Sequence, residues 1–205
     1  MAYYFLFPES DTTIYSHPDR SEMNTGKDEI LEIVKERGVS DKYLYPSRIL
    51  IKFKNEEIQS IITDIIGHST FNNGTTKANL QLTAVEPKNL TAILNLTAYT
   101  VSQSWDEGTG RYLNLPTSSN GATWKYRDNS ITKWTTSSFA SATTGSIKSS
   151  SVLTKGGGVW YTGSNFYAPQ QFLPGAELNT DFDVTTIIQK WSSSLFVNQS
   201  SLGEF

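Results

Sequence analysis

The sequence predicts an all-β protein, an antiparallel β-sandwich with two short amphipathic helices. Residues 78–84 and 94–99 place apolar side chains at every second position, a pattern that is typical of half-buried strands. The chain is rich in aromatic residues, with ten Tyr, ten Phe and five Trp, and these suit the pleated faces of strands. Frequent Thr, Ser, Asn and Gly suit strands and the turns between them.

A central strand is predicted at 48–54, because its apolar residues lie on both faces. A first strand is predicted at Met1–Phe7, an apolar run that stops at Pro8. No Lys or Arg precedes this run, so it lacks the basic start of a signal peptide. The segment 30–35 fits either a strand or a helix. Gly156–Gly158 predicts a turn that leads into a strand from Val159.

The first helix is predicted from Asn55, a suitable cap, to Gly67, a suitable stop. Its isoleucines recur at i, i+3, i+4, i+7 and i+8, which places them on one helix face. They are Ile58, Ile61, Ile62, Ile65 and Ile66.

The second helix is predicted from its cap, Asp183, to Trp191. Val184, Ile187, Ile188 and Trp191 form its apolar stripe. Each helix is too short to be stable alone, so burial of its apolar face has to hold it in place.

The composition excludes several functional classes. The net charge of the 205 residues is −3 and no basic patch stands out, so no nucleic-acid partner is predicted. The absence of Cys excludes disulfides and thiolate metal sites. No stretch approaches the ~20 apolar residues of a membrane helix, so no membrane partner is predicted. We predict one domain over 1–205, with a Ser/Thr-rich surface insertion at 135–155 that leaves room for a short edge strand.

Several segments occur in an order that is similar to a known family. They are Asp11–Tyr15, Gly26, Arg48–Phe53, Trp105–Gly110, Thr123–Trp124 and Asp183–Trp191. Over residues 10–192 the chain thus resembles the DNRLRE family, which is related to family 96 carbohydrate-binding modules. The resemblance implies a jelly-roll-like β-sandwich, in which Trp105, Trp124 and Trp191 belong to the buried framework.

Two features depart from the family pattern. The insertion at 135–155 is longer than the pattern leads us to expect, and after Trp191 only Leu195–Val197 resembles a further strand. Either this segment closes the sandwich, or the chain is cut inside a larger protein. The second alternative would leave an open sheet edge that needs a partner.

Family members are common on secreted proteins with signal peptides, whereas this chain begins at Met1 without one. A surface-type sandwich that is made in a cytoplasm is similar to structural proteins of tailed bacteriophages, an analogy at the level of the fold. We therefore predict a non-enzymatic virion protein of the neck, tail or capsid surface, synthesised in the host cytoplasm. Its partners would be copies of itself and other virion proteins. The alternative is a carbohydrate-binding module of a surface or secreted protein.

No catalytic set is predicted. The two histidines, His17 and His68, are far apart in the sequence, and no G-x-S-x-G motif accompanies them. Asp106 and Glu107 are adjacent carboxylates, but glycosidase chemistry needs two carboxylates that flank a cleft. We expect Glu107 to bind backbone amides in its glycine-rich turn instead.

The other carboxylate pair is Asp181 and Asp183, and Asp183 is better explained as a helix cap. No cofactor is predicted. Calcium is an open alternative, because loop carboxylates and backbone carbonyls suit that ion. The candidate ligands are Asp11, Asp181 or Asp106, as alternatives.

Three aromatic residues flank the insertion and lie outside the segments of the resemblance: Trp134, Trp160 and Tyr161. Exposed aromatic rings offer an apolar face with a polar edge, which suits contact with sugars and proteins. We expect these three residues to be exposed, and they are the candidates for contact with a glycan or a protein partner.

Overall fold

The computed structural model describes most of the chain. The described segments are residues 2–38, 44–67, 70–71, 74–85, 92–112, 120–128, 131–134, 156–161 and 163–195. The predicted insertion at 135–155, residues 196–197 of the predicted last strand, and His68 lie outside them.

The chain divides into two compact units. The first, here called the tryptophan unit, contains the described residues within 5–54 and 101–161. The second, the helical unit, contains the described residues within 2–4, 55–100 and 163–195. One sandwich domain over 1–205 therefore stays a prediction.

The tryptophan unit contains a three-stranded antiparallel sheet. Its strands are β1 (Ser10–Tyr15), β2 (Lys35–Arg37) and β3 (Leu44–Lys52), in the order β1–β3–β2. The prediction of a central strand is confirmed, since β3 lies between the other two. Leu50 and Ile51 point to opposite faces of β3, and both are buried.

Eight buried residues form the core of the tryptophan unit. They are Ile14, Leu50, Val101, Trp105, Ala122, Trp124, Trp134 and Val159. Trp105 and Trp124 are only 3% and 1% exposed, which confirms that they are buried as predicted.

The helical unit contains two antiparallel strand pairs. The first pairs β4 (Asn79–Leu82) with β7 (Thr180–Asp183), and the second pairs β5 (Leu94–Tyr99) with β6 (Tyr167–Phe172). The two alternating segments of the sequence therefore do form strands, as β4 and β5. The Gln170 side chain joins β6 to β7, because its Oε1 accepts a hydrogen bond of 2.8 Å from the Asp181 backbone N–H.

The first predicted helix is present, but its second half is a π-helix. Helix α1 spans Asn55–Ser60 and continues as a π-helical segment over Ile61–Ile66. Gly67 ends it with a φ of 83°. Ile58 and Ile62 are buried as predicted, whereas Ile65 is 49% exposed. The wider i→i+5 turn rotates each residue by a smaller angle than an α-helix does, and this carries Ile65 out of the stripe.

The second predicted helix, α2, spans Thr185–Leu195 and so continues past its predicted end. The Asp183 Oδ1 accepts a hydrogen bond of 3.0 Å from the Thr185 N–H, which confirms Asp183 as the cap. Val184, Ile187 and Trp191 of the predicted stripe are at most 4% exposed. These three side chains anchor the helix.

The predicted first strand at Met1–Phe7 is wrong, because residues 2–7 belong to no strand. Pairing with β3 begins only at Glu9, whose N–H donates to the Lys52 carbonyl at 2.7 Å. An apolar segment forms a stable strand only when its backbone is hydrogen-bonded to a neighbouring strand. The predicted strand from Val159 is reduced to one isolated bridge, between Trp160 and Val101.

In the part of the chain that the structure describes, strands in antiparallel sheets predominate and both α-helices are short. This agrees with the predicted all-β class. No helix among these residues is both long enough and apolar enough to span a membrane.

Candidate functional site

Two segments of the resemblance, Gly26 and Trp105–Gly110, meet at a buried residue that sequence reasoning overlooked, Asn24. It is 1% exposed. Its Nδ2 donates to the carbonyls of Glu107 and Ala122 at 2.7 and 2.8 Å. Its Oδ1 accepts from the N–H groups of Gly26 and Gly110 at 3.2 and 2.9 Å. All four hydrogen-bonding positions of the amide are used, so Asn24 ties three chain segments together.

The glycine of the Trp-Asp-Glu-Gly motif is required by this arrangement. Gly108 has a φ of 81°, a conformation that residues with a Cβ rarely adopt. A Cβ at this position would lie 2.7 Å from the Asn24 Cγ and 2.7 Å from the Gly121 Cα. The motif is therefore explained by close packing around Asn24, without any need for a ligand.

Glu107, a candidate carboxylate, is fixed by two partners. Its Oε1 accepts a hydrogen bond of 3.3 Å from the Asp11 N–H, and its Oε2 lies 2.7 Å from the Lys27 Nζ. Glu107 thus binds a backbone amide as expected, although the amide belongs to β1 rather than to its own turn. Partial burial, followed by the charge of Glu107, raises the pKa of Asp11. The two carboxylates repel each other in the folded state.

The other candidate carboxylates lie in different units or accept hydrogen bonds from other side chains. Asp106 is exposed in the tryptophan unit, whereas Asp181 and Asp183 lie in the helical unit. The Asp181 Oδ1 accepts hydrogen bonds from the Asn79 and Gln81 side chains at 2.8 and 3.2 Å. Among the described residues, no three His, Asp or Glu side chains are grouped so that they would hold a metal.

A guanidinium contacts two indole rings in the tryptophan unit. The Arg48 Cζ lies 4.5 Å from the Trp124 ring centroid and 4.7 Å from that of Trp160, within the usual range for cation–π attraction. One Arg48 Nη also donates to the Gly157 carbonyl. A Cβ at Gly157, whose φ is 79°, would lie 2.7 Å from the Trp124 ring. Arg48 therefore fastens the Gly156–Trp160 segment to the core.

Two of the three aromatic residues that were expected to be exposed are buried. Trp134 is 3% exposed and donates from Nε1 to the Thr123 carbonyl at 2.9 Å, while Trp160 is 7% exposed. The expectation of exposure is wrong for both, because contacts distant in sequence bury them. Neither ring can stack on a sugar without a rearrangement of the core. Tyr161 is half-buried.

The two ends of the 135–155 insertion meet at one place. Trp134 is bonded to the Thr123 carbonyl, and the Gly157 N–H donates to the neighbouring Trp124 carbonyl at 2.5 Å. Both anchors are buried. Trp134 and Gly157, which bracket the insertion in the sequence, are therefore held at adjacent residues of the core.

The strand pair β5–β6 of the helical unit has an uncharged outer face. Tyr99 and Tyr167 lie opposite each other, with ring centroids 6.0 Å apart, and Tyr167 is 42% exposed. Farther along the same face the Gln171 Nε2 donates to the Asn95 Oδ1 at 2.9 Å. Aromatic rings followed by amides form a surface that offers both stacking and hydrogen bonds.

Large apolar side chains are exposed on the tryptophan unit at two places. Phe5 and Phe7 are 76% and 79% exposed, in the segment that precedes β1. Ile30, Ile33 and Leu44 are 55%, 47% and 47% exposed, next to the edge strand β2. Exposed apolar groups of this kind often mark contact surfaces.

No family model, no curated protein and no solved structure matches the chain. The resemblance to the DNRLRE family therefore stays a prediction from the motifs.

Proposed function

We propose that this protein is a non-enzymatic structural component of a tailed-phage virion, a jelly-roll-like β-sandwich that acts by packing against copies of itself and other virion proteins. The observation that carries the proposal is the exposure of Phe5 and Phe7, each more than three-quarters exposed. A chain that leaves such residues in water gains by covering them with another protein surface.

The polar residues described above support a non-enzymatic role, because their hydrogen-bond and ion-pair partners belong to the fold itself. Asn24 joins segments of the core, Glu107 pairs with Lys27, and Asp183 caps α2. Glycosidase chemistry requires a carboxylic acid and a second carboxylate at a defined separation across a cleft. We therefore expect no release of reducing sugar from polysaccharides. Release that disappears in an Asp106→Asn variant would contradict the non-enzymatic role.

The deciding experiment is mass spectrometry of phage particles purified by density gradient. The protein should remain with the particles at a constant ratio to the major capsid protein through repeated gradients. Its presence in the lysate but not in washed particles would refute the proposal.

A second candidate function is glycan binding, because of the outer face of β5–β6. Tyr99 and Tyr167 would stack on a sugar ring, while Asn95 and Gln171 would bind its hydroxyl groups. The test is affinity electrophoresis in gels that contain neutral polysaccharides. Tyr167→Ala should abolish any retardation, whereas Tyr3→Ala, which removes a ring that is 74% exposed elsewhere, should leave it unchanged.

A further inference from the structure

We propose that the outer face of the β5–β6 strand pair binds a linear, uncharged oligosaccharide lengthwise, so that consecutive sugars contact successive pairs of side chains. This inference rests on the second candidate function, glycan binding, and it names the class of ligand and its orientation. Every residue that takes part belongs to the helical unit.

The register of the two strands defines the outer face. Side chains alternate between the two sides of a strand, and Ala168 and Phe172, at most 4% exposed, show which side is buried. The opposite side carries three cross-strand pairs, Asn95–Gln171, Thr97–Pro169 and Tyr99–Tyr167. The same register and alternation bring Ile93 and Leu173 next to each other as a fourth pair, and both are 57% exposed.

These outer pairs form a narrow strip. The Thr100 N–H donates to the Phe166 carbonyl at 3.0 Å, so the even-numbered residues of β5 form the hydrogen-bonded pairs of this register. The outer pairs are then non-hydrogen-bonded pairs, whose side chains lie closer together. Pro169, which has no N–H, fits such a pair. With two residues between successive pairs, the four pairs span about 20 Å.

The size of the strip favours a small, elongated ligand over a protein. Two strands at the usual spacing give it a width of about 10 Å and hence an area of about 200 Å². A typical stable protein interface covers about 800 Å² on each partner. A protein that docked on this strip alone would therefore cover only about a quarter of that area.

The composition of the two strands favours an uncharged ligand. Neither β5 nor β6 contains a charged residue, although 18% of the residues of the chain are charged. Attraction of an acidic polysaccharide or a nucleic acid requires basic side chains, which these strands lack.

The amide pair in the middle of the strip provides hydrogen bonds for hydroxyl groups. The Gln171 Nε2 donates to the Asn95 Oδ1 at 2.9 Å, which orients both amides. This bond leaves the two N–H groups of Asn95 and the Oε1 of Gln171 for a ligand. Neighbouring hydroxyl groups of a sugar both donate and accept, so they match these adjacent donors and acceptor. Because the amides are already oriented, less side-chain entropy is lost on binding.

The two ends of the strip provide apolar contact. The rings of Tyr99 and Tyr167 lie 6.0 Å apart at an interplanar angle of 36°, and Tyr167 is 42% exposed. A sugar ring has an apolar C–H face that packs on an aromatic ring, while its hydroxyl groups stay at the rim. At the other end, Ile93 and Leu173 offer aliphatic surface. A ligand that uses both ends has to lie along the strip.

Isothermal titration calorimetry with oligosaccharides of increasing length tests this orientation. A glycan array of linear oligomers of glucose, mannose, galactose, xylose and N-acetylglucosamine first identifies the sugar, and oligogalacturonides serve as the acidic comparison. We expect the dissociation constant to fall with each added sugar until the ligand spans about 20 Å, and then to stay constant. Oligogalacturonides should not bind.

Three variants show which part of the strip each sugar contacts. Tyr167→Ala should raise the dissociation constant by at least about tenfold, and Gln171→Ala by roughly threefold to tenfold, because one or more neutral hydrogen bonds are lost. Leu173→Ala should weaken the binding of long oligosaccharides and leave that of the shortest ligand unchanged. The control, Ile65→Ala, removes a side chain of the π-helical segment that is 49% exposed and should have no effect.

The inference and the candidate function can fail separately. If a glycan binds but affinity does not depend on its length, or if Leu173→Ala changes nothing, the lengthwise orientation is wrong while glycan binding stands. Binding that survives Tyr167→Ala would place the glycan elsewhere and overturn the inference. If no uncharged oligosaccharide binds, both are overturned. Self-association of the free protein in sedimentation velocity that Tyr167→Ala abolishes would show a protein contact at this face, which also overturns the inference.

Discussion

Replacement of Asn24 by Ala should be among the most damaging single changes in the tryptophan unit. It removes the partner of two buried carbonyls, those of Glu107 and Ala122, and of the N–H groups of Gly26 and Gly110. The three shortest of these bonds, at 2.7, 2.8 and 2.9 Å, are each worth about 0.5–1.5 kcal/mol, and a buried group that is left unsatisfied costs about 1–3 kcal/mol. We expect a loss of about 3–5 kcal/mol in the free energy of unfolding, a large part of the ~5–15 kcal/mol of a typical domain.

Urea unfolding followed by tryptophan fluorescence measures this loss. Four of the five tryptophans lie in the tryptophan unit, and a Trp191→Phe background removes the fifth, so that the signal reports on this unit alone. Asn120→Ala is the matched control. The Asn120 Oδ1 accepts bonds of 3.1 Å from the Thr109 N–H and hydroxyl near the surface, where water replaces it, so the expected loss is below about 1 kcal/mol.

Asn24→Asp separates hydrogen bonding from packing. The carboxylate keeps the shape of the amide but has no N–H to donate, so it faces the carbonyls of Glu107 and Ala122 without a hydrogen bond. We expect a loss at least as large as that of Asn24→Ala. Wild-type stability in Asn24→Asp, or a loss below about 1 kcal/mol in Asn24→Ala, would refute the reasoning.

Three further changes test other parts of the fold. Trp191→Ala should cost about 3–5 kcal/mol, because the ring is 1% exposed, and a melting temperature equal to that of the exposed control Thr186→Ala would show that the ring anchors nothing. Asp183→Ala should lower the free energy of unfolding by about 1 kcal/mol. The Thr185 hydrogen bonds lower the pKa of Asp183, so the stability difference between the variant and the wild type should shrink as the pH falls through that lowered pKa. A stability difference that stays constant with pH would contradict the capping role. Asp11→Asn should stabilise the protein at neutral pH, because burial and the charge of Glu107 raise the pKa of Asp11. The stability that protonated Asp11 provides is complete below its ordinary pKa of 3.8 and is lost as the pH rises through the raised value. Denaturation curves of the variant and the wild type should therefore converge in acid, and a gain in stability that persists there would have another cause.

Elements with a local pattern could be predicted from the sequence. The apolar residues on both faces of β3 identified the central strand, and the stripe from Val184 to Trp191 identified α2 and its buried anchor. The stripe of α1 was predicted with the α-helical period. No feature of five regularly spaced isoleucines signals that the second half of the helix is wound as a π-helix, which exposes Ile65.

No local sequence pattern marks Asn24, the residue that ties three segments of the tryptophan unit together. The partners of Asn24 lie up to 98 residues away, and an isolated Asn in a turn resembles any other. The exposure of Trp134 and Trp160 was inferred from their place beside a polar insertion. Their burial depends instead on distant groups, such as Arg48 in β3 for Trp160. The apolar run before β1 likewise predicts a strand, but a strand requires a partner that composition does not supply.

Trp134 and Gly157 are held by hydrogen bonds to the carbonyls of two adjacent buried residues, Thr123 and Trp124. Because both ends of the intervening connection are fixed in this way, lengthening it costs closure entropy of about 0.6 kcal/mol for each doubling of its length. We therefore expect that an affinity peptide or a fluorescent label can be inserted between 134 and 156 with both anchors left in place.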